Sequence, residues 1–271
     1  MRYALHVPTL ADPGELVEMG LAAEAAGWDG FFLWDHVFGG PAFPVPMVDP
    51  WVVLGGLAAK TERIKLGTMV TPLARRRPQK VARETVTLDH LSGGRLVLGV
   101  GLGNPPEDEY AAFGEAADSP TIAARLDEAL EVVAGLWSSE TYDHVGRFFT
   151  VKGAQFLPAP VQQPRIPVWV ASQVSQRRTL RRAARWDGVV LAAIGQEGVD
   201  QLKGNDVVEA LHEIEAHRGS LEGFDVAVVS DGLPTADVVE TYADIGVTWV
   251  LATGWIDQLQ DLVRSRGPAL A

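Results

Sequence analysis

The sequence predicts an α/β protein of the (β/α)8-barrel, or TIM-barrel, class, and three observations support this prediction. Eight short apolar runs occur along the 271 residues, and after each of them except the fourth a helical pattern follows within a loop's length. The runs are apolar throughout, as strands buried on both faces of a parallel sheet must be. The chain length also suits the roughly 250 residues that such a barrel needs.

The predicted strands and helices alternate from one end of the chain to the other. The strands are expected at Arg2–Val7, Gly30–Trp34, Ile64–Val70, Arg95–Val100, Pro167–Ala171, Gly188–Ala193, Phe224–Val229 and Val247–Ala252. The first helix begins at Asp12-Pro13, and later helices are expected at Pro50–Thr61, Gln79–Leu91, Thr121–Ser138, Arg177–Arg185, Asn205–Arg218, Thr235–Asp244 and Ile256–Arg266. Asp12 and Asp49 each precede a proline, which is typical of a capping carboxylate followed by proline at the first helical position. We therefore predict one domain over residues 1–271.

One stretch departs from this alternation. Between about Asp143 and Gln163, after the fourth helix, the chain carries two adjacent phenylalanines and then Pro158 and Pro160. We interpret it as an insertion between the fourth helix and the fifth strand, in the form of a short hairpin. An open Rossmann-like sheet is excluded, because the first strand is followed by residues 6–10, His-Val-Pro-Thr-Leu, instead of a glycine fingerprint.

Composition narrows the classes of function. Asp and Glu number 35 against 23 Lys and Arg, a net charge of −12, and no basic block is long enough to follow a phosphate backbone, so nucleic acid is not an expected partner. The absence of cysteine excludes disulfides, a thiolate nucleophile and cysteine-ligated zinc. No apolar run reaches the roughly 18 residues of a membrane span, and the N-terminus begins with a strand-like segment instead of a signal peptide. We expect a cytoplasmic protein without a membrane partner.

Catalytic residues in such barrels lie where strands end and the following loops begin. His36 follows the second strand, and its imidazole can give or take a proton near neutral pH, so we predict that it is catalytic. Asp35 beside it is expected to face elsewhere and to orient a neighbour or cap a loop. We predict that His6 and Trp34 line the substrate pocket; the alternative for His6 is that it only fills the barrel mouth.

Three further segments lie at predicted strand ends, and each has two interpretations. They are the glycines of Gly99–Gly103, the segment Ala171–Ser175 with Arg177 and Arg178, and the run Arg75–Arg77. The glycines permit close approach to a planar ring, or simply a tight turn. The second segment suits a phosphate at a helix N-terminus, or an ordinary capped helix with a basic solvated face. The arginine run could attract an anionic cofactor tail, but we expect it to be solvated.

Several motifs follow one another between Arg2 and Ala193. They are Ala25, Gly27-Trp28-Asp29-Gly30 and Trp34-Asp35-His36; Leu66-Gly67-Thr68 and Thr71-Pro72; Leu88-Asp89, Leu91-Ser92-Gly93-Gly94-Arg95 and Leu98-Gly99-Val100-Gly101; and Gln163-Pro164 with Ile166-Pro167-Val168-Trp169-Val170. In this order they resemble the bacterial luciferase-like family of flavin-dependent oxidoreductases, and the Leu-Ser-Gly-Gly-Arg block is the most specific of them. The resemblance implies a (β/α)8 barrel with an insertion, and FMN or the deazaflavin coenzyme F420 in the barrel mouth.

The resemblance also implies roles for individual residues. His36 would lie near the reactive face of the ring, and a bulge with a non-prolyl cis peptide at Met69–Val70 would lie behind it. The cofactor-binding residues implied are Asp35, Thr68, Met69, Val70, Gly101, Gly103, Asn104, Ala171, Ser172 and Gln173. Two departures from the family pattern matter: the segment Ala171–Gln173 lacks a Gly-Gly pair, and Asn104 stands where F420-dependent sugar-phosphate dehydrogenases carry a glutamate. The second departure argues against a sugar phosphate as substrate.

The expected activity is hydride transfer between coenzyme F420 and a small organic substrate. An FMN-dependent two-component monooxygenase is the main alternative, and a non-catalytic flavin-binding protein is a weaker one. A metal-dependent hydrolase needs several converging His and carboxylate ligands, whereas the strand ends offer only His6, His36 and Asp35, so no metal is expected. The expected partners are the substrate, a flavin or F420 reductase and a second copy in a homodimer.

Overall fold

The computed structural model describes residues 1–41, 45–195 and 198–265. Within these ranges the elements are β1 (Arg2–Val7), α1 (Pro13–Ala25), β2 (Gly30–Leu33), α2 (Pro50–Ala58), β3 (Lys65–Pro72), α3 (Pro78–Ser92), β4 (Leu96–Gly101), α4 (Pro106–Glu109), α5 (Ser119–Trp137), β5 (Tyr142–Val145), β6 (Thr150–Ala154), β7 (Val168–Gln173), α6 (Arg177–Ala183), β8 (Gly188–Ile194), β9 (Val199–Asp200), α7 (Gly204–Arg218), β10 (Asp225–Asp231), α8 (Ala236–Asp244), β11 (Trp249–Thr253) and α9 (Ile256–Arg264). Arg266, where the last predicted helix ended, lies outside the described residues.

Eight parallel strands close into a barrel in the part of the chain that the structure describes. Their order is β10-β11-β1-β2-β3-β4-β7-β8, and β8 pairs with β10 to complete the ring, for example through Val189 and Val226. Each of the eight predicted apolar runs overlaps one of these strands. The prediction of a (β/α)8 barrel is therefore confirmed.

Aspartate side chains begin three of the outer helices. Asp12 accepts a hydrogen bond from the backbone N–H of Gly14 at 2.8 Å, and Asp49 accepts one from Val52 at 3.1 Å, each just before the proline that starts its helix. Asp118 caps α5 in the same way. Each carboxylate satisfies a backbone donor that a helix start leaves unpaired, which is why the Asp-Pro pairs located α1 and α2 correctly.

The insertion is an antiparallel hairpin of β5 and β6, and the prediction for residues 143–163 is confirmed in this form. The chain then returns to the barrel along α3. There the buried carboxylate of Asp89 accepts hydrogen bonds from the backbone of Val161 at 2.7 Å and of Gln162 at 3.1 Å. Because both donors belong to the returning segment, Asp89 fixes the path by which the chain re-enters the barrel at β7.

An aromatic cluster fills the lower part of the barrel. Phe32, Trp169 and Trp249 are buried, and their ring centroids lie 5.4–6.2 Å apart in tilted and edge-on arrangements. Met69 and Val70 belong to the same inner cluster at the level of the strand ends. The interior of the barrel is thus packed with side chains below the C-terminal ends of the strands, where barrels of this class carry their functional residues.

Close packing of β3 on β4 requires a glycine at position 67. A Cβ placed there would overlap the backbone carbonyl of Val97, which cannot move without disturbing the ladder. We expect Gly67→Ala to lower the free energy of unfolding by roughly 1–3 kcal/mol, the usual cost of overpacking a core. Urea denaturation followed by circular dichroism would measure this change.

Gly55→Ala is the matched control, because a Cβ at that position in α2 meets nothing within 4 Å. There the substitution should leave stability unchanged or raise it by about 0.5–1 kcal/mol, since alanine is the better helix former. Equal stability losses in the two variants would contradict this account of the β3–β4 contact.

Candidate active site

The barrel brings the predicted site residues together at one rim. They lie in the C-terminal part of a strand or directly after it: β1 (His6), β2 (Trp34, Asp35 and His36), β3 (Thr68, Met69 and Val70), β4 (Gly101, Gly103 and Asn104) and β7 (Ala171, Ser172 and Gln173). These five strands are consecutive neighbours in the closed sheet. Parallel strands have their C-terminal ends on the same side, so all five groups of residues face the same mouth.

Asp35 is the centre of a buried polar network. Its carboxylate is 3% exposed and accepts hydrogen bonds from Arg75 and Arg76 at 2.8 and 2.9 Å. The Thr71 hydroxyl at 2.8 Å and the Trp51 indole at 3.1 Å complete its partners. Burial alone would raise the pKa of Asp35, but the two guanidinium groups and their hydrogen bonds hold it below its ordinary value. The carboxylate therefore stays charged and orders the arginines around it.

His36 is held by a second buried carboxylate. Its Nδ1 lies 2.7 Å from Oε1 of Glu109, and Arg75 donates from Nε to the other oxygen of that carboxylate at 2.8 Å. Glu109 is 1% exposed, whereas the side chain of His36 is 32% exposed. The imidazole is thus fixed from the protein side and remains accessible from the other.

His6 and Trp34 lie next to His36 in the mouth. The ring of Trp34 lies 5.7 Å from that of His6 and 5.8 Å from that of His36, so it stands between the two imidazoles. His6 bonds through Nε2 to the carbonyl of Met69. Burial, together with the neighbouring His36, lowers the pKa of His6 to about 4 despite this hydrogen bond. His6 is therefore neutral at pH 7, with the proton on Nε2, and its Nδ1 is a hydrogen-bond acceptor.

The β3 strand carries a bulge in the mouth. Its register with β4 shifts between Thr68 and Thr71, and the peptide bond between Met69 and Val70 is cis, at the position that the resemblance implied. The Thr68 hydroxyl is buried and bonds to that of Thr71 at 2.8 Å, so it supports the bulge and the Asp35 network. A Cβ on Gly101 would overlap the side chain of Val70, and the bulge therefore accounts for that glycine.

The segment after β7 also uses its polar groups internally. The Ser172 hydroxyl, itself buried, bonds to that of Thr179 on α6 at 2.5 Å and to the carbonyl of Gln173 at 2.9 Å. Ala171 and Gln173 are half-buried, while Arg177 and Arg178 are exposed at the start of α6. The serine hydroxyl is therefore already engaged within the protein, and Arg177 lies 4.0 Å from the carboxylate of Glu213 on α7.

One expectation for the arginine run was wrong. Arg77 is exposed, but the side chains of Arg75 and Arg76 are only 11% and 17% exposed and pair with Asp35 and Glu109. The reason is that buried carboxylates require countercharges, and those carboxylates come from distant parts of the chain. The sequence analysis also missed Glu109, which lies on the short helix α4. Its only signal was an acidic run between Pro106 and Tyr110.

Two cavities lie among the described residues away from the barrel mouth. A cavity of about 380 Å³ lies on the outside of the barrel between α2 and α3, and another of about 550 Å³ lies beside Arg185 and His217. Neither of these two cavities lies at the rim, and neither is lined by a predicted site residue. Among the residues that the structure describes, no group of three or more His, Asp or Glu is arranged to hold a metal ion. No described helix combines the length and the apolar character that crossing a bilayer requires.

Comparison with known proteins decides the family. The family model described as luciferase-like monooxygenase matches residues 2–237. The chain belongs to this luciferase-like family. An F420-dependent glucose-6-phosphate dehydrogenase from Microbacterium testaceum is 36% identical over 166 residues, which are 59% of this chain and 47% of that enzyme. The matched segment therefore spans about half the length of that relative.

Two solved structures superpose on this barrel. The coenzyme F420-dependent tetrahydromethanopterin reductase from Methanopyrus kandleri superposes with a TM-score of 0.77 over 97% of both chains, at 18% identity, and this likeness shows the fold. The monooxygenase RslO1 from Streptomyces bottropensis gives a TM-score of 0.70 at 25% identity, over 91% of this chain and 75% of its own. Membership of the family confirms the predicted resemblance and identifies the protein as an oxidoreductase of the luciferase-like type. The descriptions of the Microbacterium testaceum dehydrogenase and the Methanopyrus kandleri reductase both name F420. F420 is one of the two predicted cofactors.

The rim offers complementary groups for the ring of such a cofactor. Nδ1 of His6 and Nε1 of Trp34 are buried, and neither has a hydrogen-bond partner among the described residues. Buried polar atoms are normally paired, so an acceptor and a donor of this kind suit a bound molecule with both functions. FMN and F420 each carry adjacent N–H and C=O groups on the pyrimidine part of the ring. The residues present therefore fit either cofactor.

The Asp35 network should contribute to stability in a pH-dependent way. Asp35→Asn leaves the paired guanidinium groups without their charge partner, and we expect a loss of about 3–5 kcal/mol at pH 7. Because the folded-state pKa of Asp35 is lowered, its contribution is complete above the unfolded value near 3.8 and is lost as the pH falls toward the lower folded value. Urea denaturation at several pH values would show the difference from the wild type shrinking in acid.

Glu131→Gln is the matched control, because Glu131 pairs with Arg185 at 2.9 Å where both side chains are half exposed. Its loss should change stability little at any pH. A difference between Asp35→Asn and the wild type that is equally large at pH 7 and in acid would contradict the assigned charge state.

His6 should remain uncharged well below the pH at which a free imidazole protonates. An NMR titration of the Cε1 proton, assigned with His6→Gln, should show no charging until the pH approaches about 4. Between the unfolded value of 6.5 and that value, the unfolded chain binds a proton that the folded chain does not, so acid in this range lowers the contribution of His6 to stability. A midpoint between pH 6 and 7 would refute the buried, neutral state.

Proposed function

We propose that this protein transfers a hydride between coenzyme F420 and a small organic substrate, with His36 as the proton acceptor or donor. The observation that carries the proposal is the placement of His36, which is anchored on a buried carboxylate and accessible at the barrel mouth. An imidazole in such a position can exchange a proton with a hydroxyl or carbonyl group near neutral pH.

The chain's own residues would position the reactants. His6 and Trp34 offer the buried acceptor and donor for the edge of the ring, and the β3 bulge at Met69–Val70 supports it from inside the barrel. The segment Ala171–Gln173 and the exposed Arg177 and Arg178 would meet the phosphate-bearing side of the cofactor. When bound, F420 supplies a ring that accepts or gives a hydride.

The character of the substrate follows from the charges at the rim. Arg75 and Arg76 are already paired with Asp35 and Glu109, so they do not offer a site for a substrate phosphate. Asn104 is exposed where sugar-phosphate dehydrogenases of the family carry a glutamate. We therefore propose a substrate other than a sugar phosphate. It would carry an alcohol group whose proton His36 accepts, or a carbonyl group to which His36 donates a proton.

An FMN-dependent two-component monooxygenase is the second candidate function. The 25% identity with the monooxygenase RslO1 over most of this chain favours it. The two activities differ in their use of oxygen, because reduced flavin reacts with it and reduced F420 reacts poorly. Oxygen uptake in the presence of FMN and a flavin reductase would identify the monooxygenase. The homodimer, the reductase partner and the cytoplasmic location stay predictions.

Titration of the purified protein with F420 and with FMN tests the proposal directly. We expect saturable quenching of cofactor fluorescence by the protein, with F420 bound more tightly than FMN. Absence of binding by both cofactors would end the proposal.

The role of His36 is tested by His36→Ala in a screen of small alcohols and carbonyl compounds with F420. Turnover should fall roughly 100- to 10,000-fold, the usual contribution of a general acid or base, while affinity for F420 stays near that of the wild type. His212→Ala is the matched control, since His212 is exposed on α7 away from the mouth. Wild-type turnover in His36→Ala would remove His36 from the mechanism.

A further inference from the structure

Glu109 occupies an unusual position for a side chain outside the predicted site. It lies at the end of the short helix α4, its side chain is fully buried, and its two oxygens have different partners. Oε1 meets Nδ1 of His36 at 2.7 Å, and Oε2 accepts from Nε of Arg75 at 2.8 Å. The buried carboxylate therefore joins the imidazole to a fixed guanidinium group.

This arrangement determines which nitrogen of His36 carries the proton. A carboxylate is only an acceptor, so the neutral imidazole must place its proton on Nδ1 to bond with Glu109. In that tautomer Nε2 holds the lone pair. Free histidine favours the opposite tautomer, with the proton on Nε2, and that form would direct a lone pair at the carboxylate. Nε2 is therefore the nitrogen that is able to accept a proton from a substrate.

Arg75 keeps the carboxylate in the orientation that this requires. Its Nε donates to the Glu109 carboxylate at 2.8 Å. Its Nη2 donates to two atoms of Asp35, the side-chain Oδ1 and the backbone carbonyl oxygen, each at 2.8 Å. The guanidinium is planar and rigid, so fixing it at Asp35 also fixes the hydrogen bond that it gives to Glu109. Asp35 directly precedes His36, so Arg75 fixes both the backbone before His36 and the carboxylate that binds its imidazole.

We propose that Glu109 is a positioning residue for the proposed reaction: held by Arg75, it selects the Nδ1–H tautomer of His36 and leaves Nε2 to accept the substrate's proton. The inference rests on the proposed function. In the oxidising direction, bound F420 would take up the hydride of the substrate's carbon–hydrogen bond, and Nε2 of His36 would accept the hydroxyl proton, so that the carbonyl product forms. The imidazolium so produced lies against the Glu109 carboxylate, which stabilises its charge.

The tautomer is measured without any cofactor or substrate. Long-range ¹H–¹⁵N correlation spectra of protein labelled in its histidines, recorded at a pH where the imidazole is neutral, distinguish the two forms, and His36→Gln assigns the signal. We expect His36 in the Nδ1–H form in the wild type. A predominant Nε2–H form would overturn the proposal, even if F420 binds and turnover is observed.

Glu109→Gln tests the connection with turnover. The amide has one acceptor oxygen for the two donors that the carboxylate now serves, so we expect a mixture of tautomers. We also expect a fall in kcat of roughly 10- to 100-fold, by analogy with groups that orient metal-binding histidines, with cofactor affinity unchanged. Loss of turnover while His36 keeps the Nδ1–H form would overturn the assigned role.

Glu115→Gln is the matched control, because Glu115 pairs with Arg125 at 2.8 Å in the same loop region and has no contact with His36. It should leave both tautomer and kcat as in the wild type. If Glu109→Gln fails to fold, the wild-type spectrum still decides the question. Failure of the proposed function would show as absent cofactor binding, which leaves the tautomer measurement unaffected.

Discussion

Two buried carboxylates at the rim are neutralised by two guanidinium groups, and the geometry of the barrel mouth depends on these ion pairs. Asp35 follows β2, Arg75 and Arg76 follow β3, and Glu109 ends α4 beyond β4. An uncompensated charge in this position would cost several kcal/mol, whereas the complete set provides each charge with hydrogen bonds from a partner of opposite sign. Three separate loops are therefore held in one arrangement, because a displacement of any of them leaves a charge unpaired.

The two histidines of the mouth have the same side chain, but they differ in burial and in hydrogen-bond partners. His6 is enclosed between Trp34 and the β3 bulge, and its lowered pKa keeps it neutral, which suits a fixed hydrogen-bonding role. His36 is partly accessible and lies against a carboxylate, which suits proton exchange. The aromatic cluster of Phe32, Trp169 and Trp249 closes the barrel below them. In the proposed function, a reactant would therefore approach from the open side of the barrel.

The sequence predicted the fold almost completely because the relevant signals are local. Strands buried on both faces need continuous apolar runs, and Asp-Pro pairs satisfy the free donors of a helix start wherever the helix then packs. The hairpin insertion was visible for the same reason, as an interruption of the repeating pattern. The two-residue strand β9 was not predicted, because so short a segment has no periodicity of its own.

The candidate site was predictable only in part. Position along the chain relative to each strand located His6, Trp34 and His36, because a closed parallel barrel brings all strand ends to one rim. The bulge at Met69–Val70 was implied only by the family resemblance. The pairing of Arg75 with Asp35 and Glu109, 40 and 34 residues away along the chain, depended on packing in three dimensions. The same holds for Ser172, whose hydroxyl bonds to Thr179 across the start of α6.

By itself, then, the amino-acid sequence determined the barrel, its insertion and its family, since each of these follows from patterns within a few residues or from their order. Only the tertiary structure decided which charges are buried and what each of them contacts. The energy of an ion pair inside a protein depends on the distance between the two charges and on their exclusion from water. Neither quantity can be inferred from the spacing of the residues along the chain.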